Sequence, residues 1–407
     1  MGLKSNRWAI LTVCLIVGLT LGILYAFSIF TKPLEASFGW TRTQTTMTFS
    51  WIMIFLSLGM ITGGDIMARI GPKATASIGG LLMALGFFMA SYTDSLLWLY
   101  ISYGALAGYG IGLVNLVPMA VLMRWFPDKK GLATGLITMA LALGTFLLGG
   151  QLGAYWVEIY GWSATLKILS AIFLVVVLGG SQFFSLPPAG YKPEGWNPPA
   201  GQSGESWGYN RGSMLKSKAF WMVFTWVFGI HFGALMILSS IVPFVQGQGL
   251  SLPQATAAMS IYALANGLGR PFFSTVSDKV GFRLAMIIDA VCAGLGLLGL
   301  VFMFNAFGYA GLVISLVLLG AAYGGTIPQC ALLANLFFGP KFFPKNYGLY
   351  TLPGGIFASF LGPMAGGFIY DATGEYTNAI IAGAAVTAVS LVLALTVQVP
   401  PRRTDEK

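Results

Sequence analysis

Charge is the scarcest property of this chain. Only 9% of its 407 residues are charged, 13 of them acidic, and it has a single histidine. A soluble domain carries about 25% charged residues, so an ordinary cytoplasmic protein is excluded. The three cysteines, Cys14, Cys292 and Cys330, all fall inside apolar runs. Three such residues make no disulfide framework, and they are expected to pack as small apolar groups. One histidine, and no ligand spacing around it, rules out a histidine-built metal centre. The phosphate-cradling G-x-x-x-x-G-K-[ST] loop is missing too. No cofactor and no nucleotide partner are therefore expected. Clustered acid, base or metal groups inside the apolar runs are also lacking, which argues against a membrane-embedded enzyme.

What the chain does have is apolar length. Its apolar fraction is 56% and its mean hydropathy +0.78. Twelve runs reach or approach the roughly 20 residues that cross a bilayer as a helix. In the first half they are 8–35, 44–66, 74–92, 96–123, 131–154 and 162–184. In the second they are 218–246, 254–277, 284–303, 309–335, 347–370 and 377–399. The expected fold class is an all-α membrane protein of twelve transmembrane helices. With the N-terminus inside, 18 of the 22 basic residues face the cytoplasm. Only Lys32, Arg42 and Lys167 lie at outer ends, and Arg270 lies within a run. This bias sets the orientation, with both termini cytoplasmic and the chain in the cell (inner) membrane. The net charge of +9 is thus a topology signal facing anionic lipid, and it requires no nucleic acid. The first run has no cleavage site of small residues behind it and reads as a retained span.

Between Ser185 and Ser217 the chain turns polar and rich in Pro and Gly, as an irregular cytoplasmic linker would. It separates a six-helix half at 1–184 from another at 218–407. The halves repeat each other. GDIMARIGPK from Gly64 and STVSDKVGFR from Ser274 follow spans 2 and 8, offset by 210 residues. Span 4 carries Gly108-Tyr109-Gly110, and span 10 carries Ala322-Tyr323-Gly324-Gly325. A duplicated bundle of this kind holds its substrate site between the halves near mid-membrane.

Arg270 is the charge that the apolar runs do not explain. Eight residues separate it from Asp278, so on a helix it lies about 12 Å in from the polar end. A guanidinium keeps its proton, and holding it in hydrocarbon costs at least ~2.5–3.5 kcal/mol. Either it snorkels or pairs with a fixed carboxylate, or its counter-ion is a small soluble anion. Its own helix offers no acid before Asp278, which favours the soluble anion. Asn266 is one turn away on the same face, so its amide can donate to the same anion. His231, in the middle of span 7, is either a neutral core histidine or a cavity residue that binds substrate or moves a proton. Tyr109 and Tyr323 are phenolic donors at repeat-related places, and Tyr25 is a weaker candidate. Asp289, roughly 9 Å into span 9, is expected to make a local pair near the cytoplasmic end.

These features resemble the major facilitator superfamily along the whole chain. Its loop motif, G-x-x-x-D-[RK]-x-G-x-[RK], is kept as Asp278-Lys279-x-Gly281-x-Arg283. The first copy keeps Gly64 and Arg69-x-Gly71-Pro72-Lys73, but Ala68 stands where the acid belongs, and Asp65 is the candidate substitute. The resemblance makes Asp278, Lys279, Arg283, Arg69 and Lys73 gate or helix-end charges. More narrowly, Gly22-x-x-Tyr25-Ala26-Phe27-Ser28, Gly108–Gly135, Asn266-x-x-x-Arg270-Pro271 and Asn346-Tyr347-Gly348 resemble the group of monocarboxylate transporters and oxalate/formate antiporters. Within that group the resemblance extends to bacterial lactate transporters. There the span 8 arginine holds the substrate carboxylate, and spans 1, 4, 7 and 10 face the cavity. In oxalate carriers a second cation lies in span 11, eight residues after the Asn-Tyr-Gly, and here Gly354 falls on that position. One arginine balances one carboxylate, so a monocarboxylate is favoured. The group's animal members also have an acid four residues before the arginine, where this chain has Asn266. The resemblance thus implies a secondary transporter of L-lactate or a similar monocarboxylate, with proton symport by alternating access. An oxalate/formate-type exchanger and a substrate sensor without turnover are the alternatives. Cavity-facing spans this apolar do not suit a channel.

Overall fold

The structure, a computed structural model, describes residues 6–126, 128–188, 191, 193, 207–339, 342, 346 and 348–402. Among these residues it is helical, with no strand. The helices are α1 (Arg7–Leu21), α2 (Ser28–Phe38), α3 (Arg42–Ala90), α4 (Leu96–Leu99), α5 (Gly108–Trp125), α6 (Lys130–Gly144), α7 (Leu152–Ser181), α8 (Arg211–Leu215), α9 (Lys218–Gly247), α10 (Leu252–Val280), α11 (Phe282–Phe338), α12 (Ser359–Thr373) and α13 (Thr377–Thr396). Wider π turns continue α4 into α5 and α6 into α7, and a 3-10 turn at Gly22–Ala26 follows α1.

Two helices, α3 and α11, and the run of α6 into α7 are too long for one crossing, and each breaks at a glycine. Gly71 in α3, Gly161 in α7 and Gly308 in α11 all have positive φ. L-residues avoid that region, so the chain reverses there and a new span begins. Counted between these breaks, the described residues make twelve spans, as the apolar runs predict. The loop motif shows the duplication in its backbone. Gly71 has φ 82° and ψ 167°, and Gly281, 210 residues later, has φ 83° and ψ 162°.

The chain divides into two compact units. The first comprises 1–197, 238–264 and 370–372, and the second 198–237, 265–369 and 373–407. This division follows packing and departs from the line between the sequence halves. Two segments from after the linker, 238–264 and 370–372, cluster with the first unit.

In the first unit, α3 and α5 meet at backbone distance. A Cβ on Gly59 would approach Tyr109 O to 2.5 Å, and one on Gly110 would approach Gly79 O to 2.6 Å. Small residues allow such approach in membranes, where packing rather than water exclusion drives association. An aromatic cluster fills the interior, with Tyr103 against Phe27 (5.3 Å between centroids) and Phe87 (4.8 Å). At the start of α3, Arg42 is 5% exposed. Its guanidinium grips both oxygens of Glu35, through Nε and, at 2.8 Å, through Nη2, and stacks on Tyr370 at 4.5 Å. Asp371 accepts from the N–H of Arg42 (2.9 Å) and of Thr43 (3.0 Å).

In the second unit, α10 lies against the later arm of α11. Cβ atoms on Gly269 or Gly324 would overlap the backbone of Ala321 or Asn266. α13 packs on α9 through Ser390 Oγ, which donates to Trp226 O at 3.0 Å. The stretch expected to be irregular linker is ordered at its far end. Asn210 caps the short α8, Tyr209 N–H donates to Phe338 O at 2.9 Å, and Tyr209 OH donates to Pro401 O at 2.7 Å. A chain that finds main-chain acceptors this way is held in place despite its Pro and Gly content. Residues 189, 190, 192 and 194–206 of that stretch lie outside the described residues.

Candidate functional site

The candidate site is built within the second unit on α10. Asn266 and Arg270 are one helical turn apart there, with Asn266 only 2% exposed and Arg270 half-buried. Asn266 Nδ2 and Arg270 Nε are both buried donors with no hydrogen-bond partner. An unsatisfied buried donor costs about 1–3 kcal/mol, and more when charged. Among the described residues, ion pairs join only Arg7 to Asp128 and Arg42 to Glu35. The reading in which Arg270 pairs with a fixed carboxylate therefore finds no such carboxylate among them. Two neighbouring donors, one carrying a permanent positive charge, suit an anion with two acceptor oxygens.

The close approach of α10 to α11 sets what stands beside them. With Gly269 against Ala321 and Gly324 against Asn266, the adjoining Tyr323 is fixed in register with the arginine's turn. The ring of His231, from α9, meets Tyr323 edge-on at 4.8 Å between centroids. His231 Nε2 is hydrogen-bonded to Thr326 Oγ1. That hydroxyl donates its one hydrogen to Tyr323 O at 2.9 Å, so it can only accept from the imidazole. Nε2 therefore carries the hydrogen, and Nδ1 holds the lone pair in the neutral ring. Nδ1 faces Gly354, where an added Cβ would overlap it. Hence His231, Tyr323, Thr326 and Gly354 form one contiguous wall of this unit. Thr326 and Gly354's role as the seat of an imidazole are additions to the sequence reading.

Other expected residues belong to other elements. Tyr109 belongs to the first unit, where its hydroxyl pairs with Thr62 Oγ1 at 2.8 Å. Tyr25 lies in the first unit as well, 6% exposed in the 3-10 turn after α1. Of the loop-motif charges, Arg69, Lys73, Asp278, Lys279 and Arg283 are all exposed, and none makes an ion pair among the described residues. Arg283 instead donates to Val397 O at 2.7 Å, at the C-terminal end of α13, where a cation is favoured by the helix dipole. Asp65 is exposed and forms no ion pair with a described residue. Asp289 departs from its expected local pairing at a helix end. It is fully buried, and its partner is Gln329, forty residues away. Distance along the helix is a poor guide there, because the later arm of α11 covers the early one.

Residues 10–356, and again 254–407, match the model of the Major Facilitator Superfamily. The chain belongs to that superfamily. It is an integral membrane protein and a secondary transporter, not an enzyme. The oxalate:formate antiporter of Oxalobacter formigenes is 26% identical over 356 residues, covering 86% of this chain and 82% of the antiporter. Monocarboxylate transporter 4 of Rattus norvegicus is 28% identical over 414 aligned residues, covering 95% and 82%. The crystal structure of the nucleoside transporter NupG has the same fold. The TM-score is 0.73 at 15% identity, over 96% of this chain and 99% of that one.

Proposed function

We propose that this transporter carries small monocarboxylates, L-lactate foremost, across the cell membrane together with a proton, by alternating access, with both termini in the cytoplasm. The observation that carries the reading is the pair of unpartnered buried donors, Arg270 Nε and Asn266 Nδ2, one turn apart on α10. The substrate carboxylate accepts from both, and its charge balances the guanidinium in a low-dielectric wall. The wall of His231, Tyr323 and Thr326 closes the same unit. Within that unit's apolar helical interior, Arg270 is the one cation among the described residues. A dicarboxylate would thus keep an uncompensated charge. The relatives named for monocarboxylates, and for oxalate and formate, support the small-carboxylate class. Arg270's charge is permanent and Asn266 is not titratable, so the proton travels with the substrate or through another group.

The test is uptake of labelled L-lactate by proteoliposomes with and without an imposed pH gradient. Acetate, pyruvate, formate and oxalate serve as competitors. Uptake accelerated by an inward proton gradient, and inhibited by monocarboxylates but poorly by oxalate, is expected. Uptake only into vesicles preloaded with a second anion would replace symport by exchange. Binding without uptake would make the protein a sensor.

A further inference from the structure

Among the buried oxygens of the second unit that lack a partner, two belong to residues already bonded to each other. Asp289, on the arm of α11 before Gly308, is 0% exposed, and Gln329, on the arm after it, is 2% exposed. Gln329 Nε2 donates to Asp289 Oδ2 at 2.6 Å and to Gly325 O at 3.3 Å. Both amide hydrogens are engaged, and two acceptors on one atom identify it as the nitrogen. Asp289 Oδ1 and Gln329 Oε1 remain, buried and without partners. Among the described residues no cation pairs with the carboxyl. Two thiols, Cys292 on the same arm and Cys330 beside Gln329, lie within electrostatic reach. Neither thiol supplies positive charge.

An ionised carboxylate here would combine three penalties. It would place a full charge in an apolar interior, leave one of its oxygens without a donor, and leave the amide oxygen beside it unsatisfied. One hydrogen removes all three. A carboxylic acid and a primary amide are complementary, since the amide N–H donates to the acid's carbonyl oxygen and the acid O–H donates to the amide oxygen. The first of these bonds is in place, and the atoms left over are the two that the second requires. We propose that Asp289 and Gln329 form a proton-binding site, in which Oδ1 carries one proton at neutral pH and donates it to Gln329 Oε1. This site is separate from Arg270 and stands whichever solute the protein carries.

Asp289→Asn tests the site, because an asparagine amide presents an N–H where the acid presents its O–H. In the full-length purified protein, infrared spectra of the wild type should contain a protonated-carboxyl stretching band. That band should move on deuteration, vanish in Asp289→Asn, and shift in Gln329→Leu, where the acid loses its acceptor. The unfolding midpoint of Asp289→Asn should match the wild type at neutral pH, while Asp289→Leu, which strands the amide, should fall by several degrees. A wild-type spectrum without such a band overturns the proposal, as does a band unchanged in both Asp289→Asn and Gln329→Leu. A midpoint as low for Asp289→Asn as for Asp289→Leu overturns it equally. None of these readouts depends on transport, so failure here is distinct from failure of the lactate reading.

Discussion

Gly354 and His231 compete for one volume. A Cβ on Gly354 would overlap Nδ1 of the imidazole, and the ring is held there by Thr326. Gly354→Ala is therefore an overpacking substitution, of a kind that costs about 1–3 kcal/mol. It should lower both the unfolding midpoint and lactate uptake. His231→Gly should restore part of both when combined with Gly354→Ala, a coupling that a double-mutant cycle measures. Additive losses, or a harmless Gly354→Ala beside an intact His231, would dissolve the pairing.

The same relationship changes how a second cation should be introduced. Gly354→Lys alone forces the imidazole aside, so its failure would say nothing about charge. Placed in a His231→Gly background, the lysine stem has room to extend. Oxalate should then compete with labelled lactate where it did not before. Unchanged competition in a folded double variant would show that the number of cations does not set the preference for monocarboxylates.

Arg270 should be irreplaceable. Arg270→Lys keeps a charge but loses the planar fork that meets a carboxylate at two points. Arg270→Ala loses both. Removing one partner of a buried charge pair costs about 2–5 kcal/mol, so binding should weaken roughly 30-fold or more, with uptake near background. Full uptake by a well-inserted Arg270→Ala protein would remove the residue from the site.

How much of this was legible beforehand depended on the range of the interaction. Twelve spans follow from apolar runs because a bilayer imposes one length on every helix. The glycine of the loop motif is readable too, since its positive φ is a local demand. Asn266 and Arg270 are paired by helical period alone. The tautomer of His231 was not readable, because it depends on Thr326, 95 residues away, and on what Thr326 does with its own hydrogen. The partner of Asp289 is hidden for a similar reason, since it comes from the other arm of α11. Arg42 counts in the sequence as one outer basic residue, and only the fold shows it buried against Glu35 and Tyr370.

Asp371 makes a prediction about pH. Burial works against its ionised form, but hydrogen bonds from the Thr43 hydroxyl and from the N–H groups of Thr43 and Arg42 outweigh it and hold the carboxyl below its ordinary value. A depressed folded pKa contributes stability above the unfolded value of about 3.9 and loses it as pH falls through the folded value. The bound N–H groups are orphan donors at the start of α3, and an anion there is worth about 1 kcal/mol at most when exposed. Asp371→Ala should lower the unfolding midpoint by a few degrees at pH 7. Below about pH 4 the difference from wild type should shrink, as the wild-type carboxyl takes up its proton. A difference that is constant or grows toward acid would contradict this role.

The coupling ion is decided by separating its two driving forces. Lactate moving with one proton transfers no net charge, so uptake should follow a pH gradient and respond weakly to voltage. Lactate moving alone carries one charge, worth about 2.3 kcal/mol per 100 mV, and uptake would then follow the membrane potential. Proteoliposomes allow each gradient to be imposed without the other. Uptake driven by potential and indifferent to pH would end the symport reading. If the pH gradient drives uptake, His231→Gln separates two routes for the proton. Glutamine can still donate an N–H to Thr326, so the wall keeps its bond, but it cannot titrate. Coupling that survives His231→Gln leaves the imidazole as a structural donor and assigns the proton to the substrate carboxyl or to another protein acid. Coupling lost in a variant that still exchanges lactate at equilibrium assigns it to the ring.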